Sequence, residues 1–474
     1  MASPNISFDS IPASIRKPGQ YFEFNTKLAV RTLPGNPMRV LIVGQRLAAG
    51  TVAANVLTDV FSDADAATYF GQGSQAHRMV KAAIKANAYV QLTVVAVDDD
   101  AAGVVSTGTI TLAGAATAAG AVSVKIGAES VAVAADAADT AATVATNLAA
   151  AINQAVALPV TAAAAAGVIT ITAKHKGAEG NNIKLAVLSQ LAGVTMTLTT
   201  PMTGGLNDPE ISDALAAAFA AGHNIVVSPF ATATAASELA AYLDSVTAPQ
   251  EQRDAFGVLG APMTLSAATT LALGVNSGWL TWGWHPGSKM LAGEVAAAYA
   301  AECAFEQDPA RPLNTLPLVG LDIPDPVDRA GRTEQENALY NGLTPFEVGP
   351  DNVMQIVRAI TTYTVNPQGV EDVALLDLTT VRTLFYTRKA CRERIALRFP
   401  REKLSDRTPP KVRSELLNVL GQLEDLEILE NVEANKDALL VERDEQDVNR
   451  LDAKIPADVV NGLHIFAGRI DLLL

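Results

Sequence analysis

The chain reads as an α/β protein whose core is split by an inserted β-rich domain. An α+β C-terminal domain follows, and an extended arm stands at each end. Three observations lead there. Apolar strands alternate with helical stretches over 39–97 and again over 208–303, the rhythm of a parallel sheet with crossover helices. Between 102 and 205 the composition turns to Ala, Thr, Val and Gly with very few charges. From about 371 the chain becomes charged and helical before ending in an apolar stretch.

Residues 1–30 form the first arm, since Pro4, Pro12 and Pro18 oppose a helix. Ile6, Phe8, Ile11, Ile15, Tyr21, Phe22 and Phe24 are too apolar for a solvated tail, so this arm is expected to dock. The first half of the core occupies 31–101. Arg39–Gly44 is a buried strand, a helix starts after Ser62-Asp63, another covers 73–87, and Val90–Val97 is a second strand closed by Asp98-Asp99-Asp100. The insertion, 102–205, carries strands at 107–112, 121–126, 129–134, 168–173, 183–188 and 194–199 and a helix at 139–156, punctuated by glycine turns.

The core resumes over 206–370. A helix fits 208–221 with Asp208 as N-cap, Pro209 at the first helical position and Gly222 after its end. Strands at 223–228, 255–260 and 279–284 alternate with helices at 233–247 and 288–303, and a Pro-rich loop spans 309–328. The C-terminal domain, 371–462, has a helix at 376–399 with a stripe of Leu384, Phe385, Cys391, Ile395 and Phe399. It continues with a helix at 411–427 and strands near 438–442 and 450–456. The second arm, 463–474, sets Arg469 and Asp471 between Ile470, Leu472 and Leu474 in strand-like alternation.

A length of 474 residues fits about two to four domains. The net charge of −15 disfavours nucleic acid and anionic membrane as general partners, which need a positive field. The first twenty residues lack an apolar signal core, and no long apolar run predicts membrane insertion. Cys303 and Cys391 are far apart and read as buried free thiols.

Few segments suggest chemistry. Gly44–Thr51 follows a strand, but its second glycine is one residue late and no Lys precedes Thr51, so it reads as a turn and not a phosphate loop. His77, His223 and His285 with Ser228, Ser266 and Ser277 could supply a serine triad, yet no G-x-S-x-G elbow occurs, and His223 and His285 read as hydrogen-bonded structural groups. The scattered histidines and cysteines show no metal-ligand spacing, and Asp98–Asp100 reads as a solvated turn. No cofactor is implied. Trp279, Trp282 and Trp284 hold all the tryptophan, with Trp282 and Trp284 on one strand face as a core wall.

The strongest charge feature lies between 382 and 413. Arg382, Arg388, Lys389, Arg392, Arg394, Arg398, Arg401, Lys403, Arg407, Lys411 and Arg413 face only Glu393, Glu402 and Asp406, eleven against three, a local balance near +8. It is either a solvated helix face or a contact surface for an acidic partner. The apolar ends are aggregation hazards in a monomer. They make sense as strands donated to neighbouring copies, a head-to-tail exchange that builds rings or helical arrays.

These residues resemble the tail sheath proteins of Mu-like contractile phages. The resemblance is carried by Ile6–Pro12, by Arg39–Gln45, by Phe70-Gly71-Gln72-Gly73-Ser74, by Ile360–Tyr363, and by Leu439–Arg443 through Asn449–Asp452. It implies a subtilisin-like core without protease activity and six-membered rings stacked helically around an inner tail tube protein. Baseplate and tail terminator proteins would be further partners, in a virion tail assembled in the host bacterial cytoplasm. It also implies that the arms link neighbours, with Ile6, Phe8, Ile11, Tyr21, Phe22, Phe24, Ile470, Leu472 and Leu474 as contacts. The insertion would face outward and the C-terminal domain the tube. Charge then suggests Arg382, Arg388, Lys389, Arg392, Arg394, Arg398, Arg401 and Lys403 as the tube-facing set. A hydrolase with a cryptic triad and a surface adhesion protein are the competing readings.

Overall fold

The computed structural model describes residues 16–22, 33 and 35–473. Two compact units divide the described residues: one holds 36–386, 427–430 and 457–473, the other 16–22, 33, 35, 387–426 and 431–456.

The larger unit is built on an eight-stranded sheet. Strand β1 (Arg39–Gln45) is followed by β2 (Leu57–Val60), helix α1 (Asp63–Phe70), helix α2 (Gln75–Ala86) and β3 (Gln91–Val97). The chain then leaves the sheet for a β-lobe: β4 (Val105–Gly114), β5 (Gly120–Ile126), β6 (Glu129–Ala135), α3 (Ala141–Gln154), β7 (Val160–Ala165), β8 (Val168–Lys176), β9 (Leu185–Ser189) and β10 (Val194–Leu198). It returns with α4 (Ser212–Ala218), β11 (Ile225–Val227), α5 (Ala233–Thr247), β12 (Phe256–Ala261), α6 (Leu265–Val275), β13 (Leu280–Trp284), α7 (Ala292–Phe305), α8 (Arg332–Tyr340), β14 (Thr344–Val348) and β15 (Met354–Ile356).

The sheet order is β15-β14-β13-β12-β11-β1-β3-β2. The six inner strands run parallel, and the edge strands β15 and β2 are antiparallel to their neighbours. Alternation along β1 shows why both faces are covered: Val40 and Ile42 enter one apolar cluster with α2 and α7, while Leu41 and Val43 enter another with α4, α5 and α6. Gly260 on β12 permits the closest approach, since a Cβ there would lie 2.2 Å from the Ala292 carbonyl oxygen of α7. Trp282 and Trp284 share the second cluster, as their spacing predicts. Trp279 stacks on Phe385 at 5.2 Å.

The β-lobe has its own core, in which α3 supports the antiparallel sheets β10-β4-β8-β7 and β6-β5-β9. Its strands follow the sequence pattern except β7, whose Val-Thr-Ala-Ala-Ala-Ala run favours helix by propensity and is held as strand by pairing with β8. Helix α6 was also not legible, because Leu-Ser-Ala-Ala-Thr-Thr-Leu-Ala-Leu-Gly-Val has no charged residue to mark an outer face.

Two local expectations are corrected. Asp208 does not cap a helix: α4 starts at Ser212 after Ile211, and Asp208 Oδ1 instead accepts the Glu179 backbone N–H at 3.0 Å. Gly222 does end that helical stretch in the left-handed conformation, φ 69°. His223 is buried with neither ring nitrogen hydrogen-bonded, and burial pushes its pKa down to about 4. It is a neutral packing group, not a hydrogen-bonded one.

The smaller unit contains the C-terminal half of α9 (Leu378–Arg398), α10 (Thr408–Asp425), α11 (Val432–Asn435) and the antiparallel hairpin β16 (Leu440–Arg443) and β17 (Leu451–Lys454). Pro409 and Pro410 sit in the first turn of α10, where their missing N–H groups cost nothing. Val412, Leu416, Val419, Leu420 and Leu423 form its buried stripe.

Candidate assembly surface

Of the histidines that could serve a triad, His285 sits with Ser288 and Asp322, neither of which the sequence singled out. His285, Ser288 and Asp322 cluster beyond the end of β13. His285 Nε2 lies 2.8 Å from the Asp322 carbonyl oxygen and 3.4 Å from its carboxylate. Ser288 donates to the carboxylate at 2.5 Å and accepts the Met290 N–H at 3.1 Å. His285 and Ser288 are both fully buried. A triad needs the serine hydroxyl on the imidazole and open to substrate. Here the hydroxyl is spent on the carboxylate, so the cluster fixes a loop.

Burial opposes the Asp322 charge, yet hydrogen bonds from His285, Ser288 and the Lys289 N–H hold its pKa down to about 2. A depressed carboxylate adds stability above its ordinary value of 3.8 and loses it as pH falls through about 2. Asp322→Asn should therefore cost about 2 kcal/mol at pH 7. Urea melts should show the gap from wild type closing below pH 4, and a gap constant down to pH 2 would refute the assignment.

The other sequence candidates resolve into structure. His77 accepts the Gly73 N–H on Nδ1 at 3.0 Å and pairs Nε2 with Asp63 at 2.9 Å. Ser228 and Ser277 accept backbone N–H groups of Phe230 and Trp279. Cys303 and Cys391 are buried free thiols, as expected, with pKa values pushed by burial to about 12 and about 11. Asp98–Asp100 is not simply a solvated turn. Asp98 pairs with Arg46 at 2.7 Å, and Asp99 accepts from Gln45 Nε2, His175 and the Lys176 N–H.

The basic run divides sharply. Arg382 is 1% exposed and donates to the Glu306 carbonyl oxygen at the end of α7. Arg394 is buried and reaches Glu415 at 3.4 Å, Asn418 at 3.0 Å and Gln422 at 3.1 Å, so it ties α9 to α10. These two cannot belong to a contact surface. The apolar stripe read along this helix missed them because the buried side runs through Tyr386, Ala390, Cys391 and Arg394. Arg388, Lys389, Arg392 and Arg398 are half-buried, and Lys389 donates to the Gly35 carbonyl oxygen at 2.8 Å. Arg401 and Lys403 are exposed. Arg413 donates to the Lys436 and Leu439 carbonyl oxygens and so holds the hairpin approach.

The ends are apolar and open. Tyr21 and Phe22 are exposed, whereas Ile6, Phe8, Ile11 and Phe24 lie outside the described residues. Ile470 is 99% exposed and Leu472 82%, and Phe466 and Leu473 are exposed as well. Leu474 is outside the described residues. Segment 463–473 has no regular secondary structure, against the expectation of a strand. Among the described residues β16 and β17 pair only with each other, so their outer edges are unpaired.

An α/β body carrying open strand edges and exposed apolar ends defines an assembly subunit. The chain matches the model of the phage tail sheath central domain over 204–362 and that of the phage tail sheath C-terminal domain over 370–472. It is 32% identical over 488 aligned positions to the Mu-like prophage FluMu tail sheath protein of Haemophilus influenzae, covering 99% of this chain and 100% of the relative. The fold is similar to the sheath tail protein of Desulfitobacterium hafniense, with TM-score 0.52 at 14% identity, covering 94% and 97% of the two chains. It is similar also to the contracted helical sheath of the anti-feeding prophage, with TM-score 0.51 at 11% identity, covering 97% and 99%. The chain belongs to the phage tail sheath family and is a structural subunit of a contractile tail sheath.

Proposed function

We propose that the subunit polymerises as stacked six-membered rings around an inner tail tube protein, and that contraction of this lattice drives the tube through the host envelope. The arms 1–30 and 463–474 link neighbours, 102–205 faces outward, and 371–462 faces the tube. Baseplate and tail terminator proteins bound the lattice, in a virion tail assembled in the bacterial cytoplasm. The core, 31–101 with 206–370, is subtilisin-like in fold and acts without catalysis or cofactor, so an active-site serine probe should leave it unlabelled.

The observation that carries this reading is the open-edged hairpin β16–β17 in a chain whose residues 463–473 hold apolar side chains in solvent. A strand donated from one copy to the next is a heterologous contact, and repetition of it yields rings or helical arrays. Contraction needs no nucleotide. The contracted lattice is lower in free energy because the same subunits bury more mutual surface, and subunits rotate about extended arms once released.

The tube-facing set reduces to Arg388, Lys389, Arg392, Arg398, Arg401 and Lys403. Coexpression with the tube protein followed by electron microscopy tests both parts. Wild type should give sheathed tubes with a helical repeat, and unsheathed tubes alone would overturn the reading. Arg401→Glu with Lys403→Glu should cut sheathed tubes about tenfold, as expected for reversed rim charges, with unchanged circular dichroism. Equal yields would remove the tube-facing assignment.

A further inference from the structure

The β-lobe and the core meet in a buried polar junction. Two chain crossings enter it, bridged where Val104 pairs with Leu206. Side chains clamp it from both sides. His175 pairs Nδ1 with Asp99 at 2.8 Å and accepts the Gln75 N–H on Nε2 at 3.1 Å. Lys184 donates to the Ser288 carbonyl oxygen at 2.7 Å, and Lys174 donates to that of Gln72 at 3.2 Å.

At its centre Glu179 lies on a single turn of 3-10 helix, Ala178–Asn182, and is 7% exposed. Its carboxyl accepts from Asn182 Nδ2 at 2.9 Å and from the Ala292 N–H, the first residue of α7, at 3.3 Å. Neither donor is a cation. Two more carboxylates stand beside it: Asp208, which accepts the Glu179 N–H, and Glu294, which is already paired with Arg78 at 2.8 Å. The nearby side chains that could supply a counter-charge are also engaged, His175 with Asp99 and Lys176 with the Ala101 carbonyl oxygen at 3.2 Å. A cavity of about 30 Å³, lined by Gln45, Arg78, His175, Lys176 and Glu179, leaves room for about a single water. An ionised Glu179 would thus be a buried anion among anions, with no counter-ion of its own.

We propose that the β-lobe is docked on the core through a protonated Glu179, and that loss of this proton loosens the lobe. Burial pushes this carboxyl up to about 8, and the Asp208 and Glu294 charges push it the same way. The sign follows from linkage. An undocked Glu179 returns to its ordinary value of 4.5, so docking is strongest below that pH and weakens up to about 8, beyond which it is constant. One proton per opening event means an opening constant that rises about tenfold per pH unit within the window. The feature is independent of the ring and arm reading, since it lies within one chain.

The test is hydrogen exchange on the full chain between pH 5.5 and 8.5, with intrinsic exchange rates divided out, read at peptides covering 178–182 and 289–293. Wild-type protection should fall by up to about tenfold per pH unit to pH 8. Glu179→Gln should hold its protection constant, and Asp208→Asn, which removes one neighbouring charge, should end the fall at lower pH. Wild-type protection that is flat with pH, or a Glu179→Gln variant as steep as wild type, would overturn the proposal. Should Glu179→Gln not fold, the Asp208→Asn endpoint decides alone, and an endpoint unchanged from wild type counts against it.

Discussion

A chain ending at Ile465 will melt within about 1 °C of the full-length subunit and will not assemble into sheath. Residues 466–473 place Phe466, Ile470, Leu472 and Leu473 in solvent. Removing exposed side chains takes away no core packing, and such changes sit near the noise of stability measurements. The cut spares His464, which is mostly buried and lies 3.6 Å from Asp377. Assembly should respond differently, because in the proposed arm role the same apolar groups gain burial against another copy. Full burial of a large apolar side chain is worth about 1.5–3 kcal/mol, so losing four of them at each subunit contact leaves little to hold a lattice. The measurements are differential scanning calorimetry for the subunit and negative-stain microscopy with the tube protein. Intact sheaths from the truncated chain would sink the arm assignment.

The second large effect lies in the core. Trp282 is fully buried in the middle of the parallel sheet, and its indole N–H has no acceptor. Trp284, two residues on, donates its N–H to the Met263 carbonyl oxygen at 3.0 Å. Trp282→Ala should cost about 4 kcal/mol through lost burial and a residual cavity, a fall of roughly 5–10 °C in melting temperature. Trp282→Phe should cost much less, under about 1.5 kcal/mol, because the smaller ring also removes a polar group buried without a partner. Equal losses in the two variants would show that a phenyl ring does not restore the packing, and would overturn this ranking. Trp284→Phe should cost more than Trp282→Phe, since it strands the Met263 carbonyl oxygen.

Neither half of this behaviour is equally visible in the chain. Val40, Leu41, Ile42 and Val43 announce a strand buried on both faces, because a parallel strand under two helix layers must be apolar without a break. Trp282 and Trp284 announce one face by a spacing of two. The resemblance across Arg39–Gln45, Phe70–Ser74 and the hairpin segment carried the family, and it did so before any geometry. The edge strand β15, its inner neighbour β14 and the helices α6 and α8 stayed hidden. They are short, or uncharged, or stabilised chiefly by what they pack against, which is a property of the partner elements.

By itself the sequence determined the α/β rhythm, the composition break at 102–205, the free buried thiols and the apolar ends. Each of these follows from local pattern: side-chain period, residue type and the absence of spaced ligands. Only the tertiary structure decided which charges are surface and which are core. Arg382 and Arg394 belong by sequence to one basic run with Arg401 and Lys403, yet a buried helix face takes the first two and solvent the others. The same is true of Asp99, His175, Glu179 and Asp208, spread over more than a hundred positions and brought together where the β-lobe meets the sheet. Burial and pairing depend on contacts between distant elements, and a linear pattern records only which residues are charged, never which of them water can reach.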